Sequence, residues 1–125
     1  MTQPPQVDQF FRAMQAGATH ADQMMSLFSD DAVYVEPFTG QPATHAGKAE
    51  IRAVFEAGWQ NPLPDMRINV DWVELKGDTV EAGWTCFSPA LPNGSGSGVN
   101  WFTIRDGLIV RLETQFRTEA HRGEA

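Results

Sequence analysis

The chain has 125 residues, 42% of them apolar, which suits one domain with a single core. Its formal net charge is −7 and its nine Lys and Arg residues do not cluster, so we expect no attraction to nucleic acid or anionic membranes. The amino terminus lacks a basic segment followed by an apolar one, and no stretch approaches the ~20 apolar residues of a membrane span. We therefore expect a cytoplasmic protein without nucleic-acid or membrane partners.

The sequence predicts neither a disulfide nor a metal site. Cys86 is the single cysteine, and the three histidines are scattered without the spacing of metal ligands. We expect no metal and no organic cofactor. The aromatic residues are more informative, since eight Phe and four Trp stand against one Tyr. They supply large apolar surface with few hydroxyl groups to satisfy, which suits an apolar cavity.

Three helices are predicted in the first half of the chain. Apolar residues recur at helical spacing over 7–14, after two prolines. A second helix carries the same spacing through Phe28, and the polar residues 29–31 end it. A third helix contains residues 51–58 and ends at the prolines that follow.

Strands account for the rest. A short strand over 32–36 ends directly before Pro37, which lacks a backbone donor, and a loop over 39–47 leads to the third helix. After that helix the apolar period changes to two. Four strands are expected at 66–75, 79–88, 99–105 and 108–117, joined by tight turns and by the PNGSGSG loop.

This order predicts an α+β domain in which a curved antiparallel sheet wraps around three N-terminal helices. We assign residues 1–118 to this single domain and residues 119–125 to a polar tail.

The last hairpin decides which side chains face the core. A two-residue turn at Asp106-Gly107 would mix charged and apolar groups on one face, whereas a three-residue loop with Gly107 in a left-handed bulge position separates them. We take the second register. It predicts an inner face of Asn100, Phe102, Ile104, Leu108, Val110, Leu112, Thr114 and Phe116. It predicts an outer face of Val99, Trp101, Thr103, Ile109, Arg111, Glu113 and Gln115.

Both faces suggest function. Asn100 is the lone amide on the inner face, where an unpaired carboxamide costs roughly 1–3 kcal/mol unless a backbone group or a ligand bonds it. The outer face is too apolar for plain solvent exposure and too polar for a core. We interpret it as a sheet-to-sheet homodimer surface.

Glu36 allows two readings from its strand alone. If Val33 and Val35 point inward, Glu36 is a solvated strand end. If Ala32 and Tyr34 point inward, Glu36 is a carboxylate at the mouth of an apolar pocket, and such a group is a candidate general base.

A set of short motifs between Phe10 and Phe116 resembles a known superfamily. The motifs are Asp30-Asp31-Ala32, Glu36-Pro37-Phe38, Gly40-Gln41-Pro42, His45, Gly47-Lys48 and Ile51. They resemble the nuclear transport factor 2-like superfamily, and within it the SnoaL-like and ketosteroid isomerase-like proteins. The resemblance implies a cone-shaped α+β barrel with a deep pocket, usually in a homodimer, and it favours the inward reading of Glu36.

The resemblance also implies roles for single residues. Glu36 falls where ketosteroid isomerases hold the Asp that moves a proton next to a carbonyl, and Asn100 falls where they hold an oxyanion-hole acid. Those isomerases use a helix-one Tyr as a second donor, but this chain has Phe10 and Phe11 there. Tyr34 is the only tyrosine and could supply a hydroxyl from another wall, or be a plain core residue.

The predicted site combines these residues with a hydrophobic lining. His45, on a loop, could be a second proton carrier. The residues predicted to line the pocket are Phe10, Met14, Phe38, His45, Trp59, Trp84, Phe102, Leu112 and Phe116. We expect a small hydrophobic molecule there, with isomerase-type proton abstraction next to a carbonyl. The alternatives are a non-catalytic binding domain, or a related hydratase, cyclase or epoxide hydrolase activity.

Overall fold

The computed structural model describes residues 4–37, 42–60 and 62–116. Within these residues the chain forms three α-helices and six strands. The helices are α1 (Pro5–Ala16), α2 (Ala21–Met25) and α3 (Lys48–Gln60). The strands are β1 (Phe28–Glu36), β2 (Ala43–Ala46), β3 (Arg67–Lys76), β4 (Thr79–Phe87), β5 (Ser95–Arg105) and β6 (Leu108–Phe116). No helix in this part of the chain is long and apolar enough to cross a bilayer.

The strands form one curved, open sheet in the order β2-β1-β6-β5-β4-β3. The predicted α+β fold class is confirmed, with one refinement: β1 runs parallel to β6, while every other neighbouring pair is antiparallel. Parallel neighbours need a long crossover connection, and here α3 and four strands separate β1 from β6 in the chain. A local apolar pattern does not reveal such a distant pairing.

Three segments that read as non-strand in the sequence belong to the sheet. The predicted second helix is too long, because α2 ends at Met25 and Phe28 already pairs with Ile109 of β6. The predicted loop before α3 contains β2, which is antiparallel to β1. Half of the PNGSGSG loop is also strand, since β5 starts at Ser95 opposite Phe87. Tertiary pairing overrides the weak strand propensity of these Ser- and Gly-rich residues.

The last hairpin combines features of both registers considered from sequence. Asp106 and Gly107 form a two-residue turn with φ of 53° and 79°, and Arg105 pairs with Leu108. A register shift between Thr103 and Ile104 then restores the other alignment further along the strands. The extra residue therefore lies in β6 and not in the turn, as a β-bulge.

That shift determines which residues of β5 and β6 lie on the face predicted for them. Asn100, Phe102, Leu112 and Thr114 are buried, as predicted. Two assignments near the turn are wrong, because the bulge inverts the faces on its turn side. Ile109 is fully buried instead of outward, and Leu108 is 36% exposed instead of inward.

The core lies between the helices and the concave face of the sheet. Phe10 of α1 is at its centre and meets four other aromatic rings, mostly edge to face, at centroid distances of 5.2–6.4 Å: Phe11, Phe28, Phe55 and Phe102. Edge-to-face contact suits the ring quadrupole and adds to the stabilisation from burial. This cluster closes one end of the interior and leaves the other end open.

Candidate functional site

A cavity of about 360 Å³ opens beside the aromatic core, between the helices and the concave sheet. Seven residues predicted from sequence as site residues line it: Phe10, Met14, Tyr34, Trp59, Trp84, Asn100 and Phe116. Phe102 and Leu112 are instead fully buried in the core behind it. Phe38 lies outside the described residues.

The described wall of the cavity carries no charged side chain. Aromatic and aliphatic residues make up most of it, and the polar side chains are few. No group of three His, Cys, Asp or Glu residues able to hold a metal ion occurs in the described ranges. An ion would lose its hydration in such surroundings without gaining a partner of opposite charge, so this wall favours an uncharged molecule.

Asn100 has the most clearly defined geometry of the polar groups. Its side chain is 3% exposed, and its Oδ1 accepts hydrogen bonds from Trp84 Nε1 at 3.0 Å and Thr114 Oγ1 at 2.8 Å. An indole N–H can only donate, so the atom facing Trp84 is the amide oxygen. Asn100 Nδ2 makes no hydrogen bond within the described residues. Asn100 is one of the residues that line the cavity.

Tyr34 brings a second hydroxyl to the same wall, next to Thr114. Burial raises the pKa of the Tyr34 hydroxyl well above its ordinary value of 10.0. Hydrogen bonding with the Thr114 side chain lowers this pKa, and the negative charge of Glu36 raises it further. The raised pKa keeps Tyr34 protonated, so its hydroxyl remains able to donate a hydrogen bond.

Glu36 points to the interior, as the inward reading of its strand predicted. Ala32, Tyr34 and Glu36 are all buried, and Glu36 is 3% exposed. Its Oε2 lies 2.9 Å from Nε2 of His45. β2 sets this contact, because His45 is the cross-strand partner of Tyr34. Neither Glu36 nor His45 is among the described residues that line the cavity.

The predicted site residues thus form two groups. Tyr34 and Asn100 line the cavity, whereas Glu36 and His45 form a pair that is not among the described lining residues. The charge of Glu36 acts on Tyr34 by raising the pKa of its hydroxyl. Their predicted catalytic roles stay predictions.

Sequence reasoning missed two contributors to this wall. Thr114 was placed on the inner face but given no role, although its hydroxyl bonds both the Asn100 amide and the Tyr34 hydroxyl. Cys86 lines the cavity, and burial raises the pKa of its thiol. Its position two residues after Trp84 on β4, and therefore on the same face, was a usable signal.

Comparison with known proteins gives a family match over most of the chain. The model of the SnoaL-like domain family matches residues 7–112. No curated protein matches the sequence.

Solved structures share the fold at low sequence identity. A candidate polyketide cyclase from Sinorhizobium meliloti is 25% identical with a TM-score of 0.75, over 90% of this chain and 95% of that one. TerC, crystallised with polyporic acid, is 24% identical with a TM-score of 0.73, over 95% and 94%. A candidate ketosteroid isomerase from Kribbella flavida is 16% identical with a TM-score of 0.72, over 92% and 77%. Because one fold hosts many activities, function has to be argued from the site.

Proposed function

Because the chain belongs to the SnoaL-like domain family, within the nuclear transport factor 2-like superfamily, we propose that its cavity binds a small, uncharged, hydrophobic molecule with a carbonyl oxygen. The oxygen accepts a hydrogen bond from Asn100 Nδ2, and the aromatic wall buries the rest of the molecule. The orientation of the Asn100 amide is the observation that carries this proposal.

The energetics favour a carbonyl over a purely apolar molecule of the same shape. An apolar ligand would strip water from Asn100 Nδ2 without replacing its hydrogen bond, and a buried unpaired donor costs about 1–3 kcal/mol. A carbonyl oxygen avoids that cost. The described wall offers no cation to pair with a carboxylate, so acids are disfavoured.

The cavity volume limits the size of the ligand. A dry cavity of about 150 Å³ is known to accommodate benzene. At about 360 Å³, this cavity has room for two fused rings and little more, unless part of the ligand protrudes from the mouth. A bicyclic aryl ketone such as 1-tetralone is therefore a suitable probe.

Calorimetry with 1-tetralone and tetralin, which differ by the carbonyl group, tests the proposal. We expect the ketone to bind more tightly, with a preference of about tenfold for each 1.4 kcal/mol of hydrogen-bond energy. Asn100→Ala should remove the preference. Asn69→Ala is the matched control, because Asn69 is exposed on β3 and bonds only Asp71. Equal binding of both probes to the unaltered protein, or binding of neither, overturns the proposal.

A second candidate function is isomerase-type proton transfer, and the buried Glu36–His45 pair favours it. In this reaction Glu36 takes a proton from the carbon next to the carbonyl and returns it to carbon after the double bond has shifted. Asn100 Nδ2 stabilises the negative enolate oxygen. The Tyr34 hydroxyl adds a second donor once it turns away from Thr114 Oγ1, which gives its own proton to Asn100 Oδ1 and so accepts from Tyr34. Glu36 must first turn from His45 toward the cavity.

Proton exchange in deuterated water separates this candidate from simple binding. Cyclic ketones incubated with the protein should exchange the hydrogens next to the carbonyl, and Glu36→Gln should abolish the exchange. Glu74→Gln, a change of the same type on exposed β3, should leave it intact. Exchange that survives Glu36→Gln removes Glu36 from the mechanism, and ketone binding without exchange leaves only the binding function.

A further inference from the structure

Gly98 lies directly opposite Trp84 in the pairing of β4 with β5. A side chain at this position would have no room. A Cβ built on Gly98 collides with the Trp84 indole ring on one side and comes within 2.8 Å of the Gln115 carbonyl oxygen on the other. The indole of Trp84 therefore occupies the space that a side chain at position 98 would need, and its N–H donates to Asn100 Oδ1 at 3.0 Å.

We propose that Gly98, Trp84 and Thr114 are positioning residues that hold the Asn100 amide with its NH₂ group toward the cavity. The proposal rests on the proposed function, in which that group binds a carbonyl oxygen. Gly98 provides the space for Trp84, and Trp84 and Thr114 then hold the amide oxygen away from the ligand.

The inventory of donors and acceptors supports this assignment. Carboxamide oxygen and nitrogen are nearly the same size, so packing alone does not distinguish the two orientations of Asn100. Hydrogen bonding does, because an amide turned by half a rotation would point its NH₂ group at the Trp84 N–H and the Thr114 hydroxyl. The indole N–H would then have lost its acceptor, and the cavity would present an oxygen to the carbonyl oxygen of the ligand.

The two partners of Asn100 come from different strands. Trp84 is on β4 and Thr114 is on β6, on either side of β5, and Thr114 is directly opposite Asn100 in the β5–β6 pairing. The central strand of the three thus presents one amide whose oxygen is bound from both sides. The preference for a ligand with a hydrogen-bond acceptor therefore depends on Gly98, Trp84 and Thr114. These residues act through Asn100 and need no hydrogen bond of their own to the ligand.

The experiment measures the affinity ratio of 1-tetralone to tetralin in a set of variants. Gly98→Ala should displace Trp84 and bring the ratio toward one, and Thr114→Val should lower it by removing one donor. Thr114→Ser keeps the hydroxyl and should restore it. If Gly98→Ala does not fold, Trp84→Phe removes the indole donor without a collision and should give the same loss of preference.

Gly83→Ala is the matched control for a collision with tryptophan. A Cβ on Gly83 would collide with Trp72, which belongs to β3 and is 36% exposed. This variant should cost stability like Gly98→Ala but keep the preference for the ketone. A ratio that stays unchanged in Gly98→Ala, Thr114→Val and Trp84→Phe overturns the positioning role.

Hydrogen exchange of the Trp84 indole proton, followed by NMR without ligand, separates failure of this proposal from failure of the proposed function. The proton should be protected in the unaltered protein and in Gly83→Ala, and should exchange faster in Gly98→Ala and Asn100→Ala. If neither probe binds but this pattern is found, the binding function fails and the positioning contact stands. If Gly98→Ala and Asn100→Ala leave exchange unchanged, the positioning proposal fails.

Discussion

The buried carboxylate of Glu36 is in contact with His45, a residue of the neighbouring strand β2. The Oε2–Nε2 distance is 2.9 Å, with Glu36 3% and His45 24% exposed. We expect His45→Ala to lower the free energy of unfolding by about 1–3 kcal/mol, because it leaves a buried carboxylate with one partner fewer. Urea denaturation measures the change. In a Glu36→Gln background the loss should be smaller, and an equal loss in both backgrounds would show that the contact contributes nothing.

Tyr34 gives a prediction that needs no variant, since it is the only tyrosine. Burial, supported by the charge of Glu36, raises the pKa of its hydroxyl above 10.0. In alkaline titration, tyrosinate absorbance should be absent from the folded protein where the unfolded chain already shows it, near pH ~10. The unfolded state then binds fewer protons, so stability should fall as the pH rises above that value. Tyrosinate formation near pH ~10 without unfolding would contradict the burial of this hydroxyl.

At the scale of elements, replacing a glycine by alanine should have opposite effects on the free energy of unfolding in α3 and in the last hairpin. Gly58 lies in α3, is exposed, and has no atom within 4 Å of an added Cβ. Gly58→Ala should therefore raise the free energy of unfolding by about 0.5–1 kcal/mol. Gly107→Ala should lower it, because φ is 79° in the β5–β6 turn. Thermal unfolding followed by circular dichroism measures both changes, and shifts of the same sign would refute this account.

At the scale of the whole molecule, the outer face of the sheet remains our candidate for a homodimer surface. Trp101 pairs with Glu113 on this face, and Arg111 is 3.2 Å from Glu113. A two-fold axis would bring the same charged pair from a second copy into reach, and opposite charges would then meet across the interface. The face also carries the exposed indole of Trp72 over Gly83.

Sedimentation equilibrium tests this expectation. The mass should be twice the 13.8 kDa of the chain, and Trp101→Glu should halve it. Leu75→Glu introduces the same charge at an exposed position on the opposite face of the sheet, because Leu75 is the cross-strand partner of buried Val80, and it should leave the dimer intact. A monomeric unaltered protein at micromolar concentration would remove the outer face as a dimer surface.

Much of the fold could be predicted because it follows from local patterns. Alternation along β5 and β6 places Asn100, Phe102, Leu112 and Thr114 on the inner face, and helical spacing identifies α1 and α3. The errors occur where a distant partner decides the structure. β2 reads as loop because its four residues, ATHA, have weak strand propensity, and β1 holds it in the sheet. The bulge in β6 depends on how β5 and β6 align and is invisible in either strand alone.

In the candidate site, too, some features follow from local patterns in the sequence and others depend on distant partners. The sequence by itself placed Asn100 on the inner face, because side chains alternate along a strand. Alternation left two readings of Tyr34 and Glu36, and the resemblance to a known superfamily favoured the inward one. Only the tertiary structure decided that Glu36 contacts His45, and that Trp84 and Thr114 both donate to the Asn100 amide oxygen. Hydrogen bonds between side chains depend on distances of a few tenths of an ångström between separate strands. Those distances arise from the packing of the whole sheet. The apolar pattern along a single strand does not contain them.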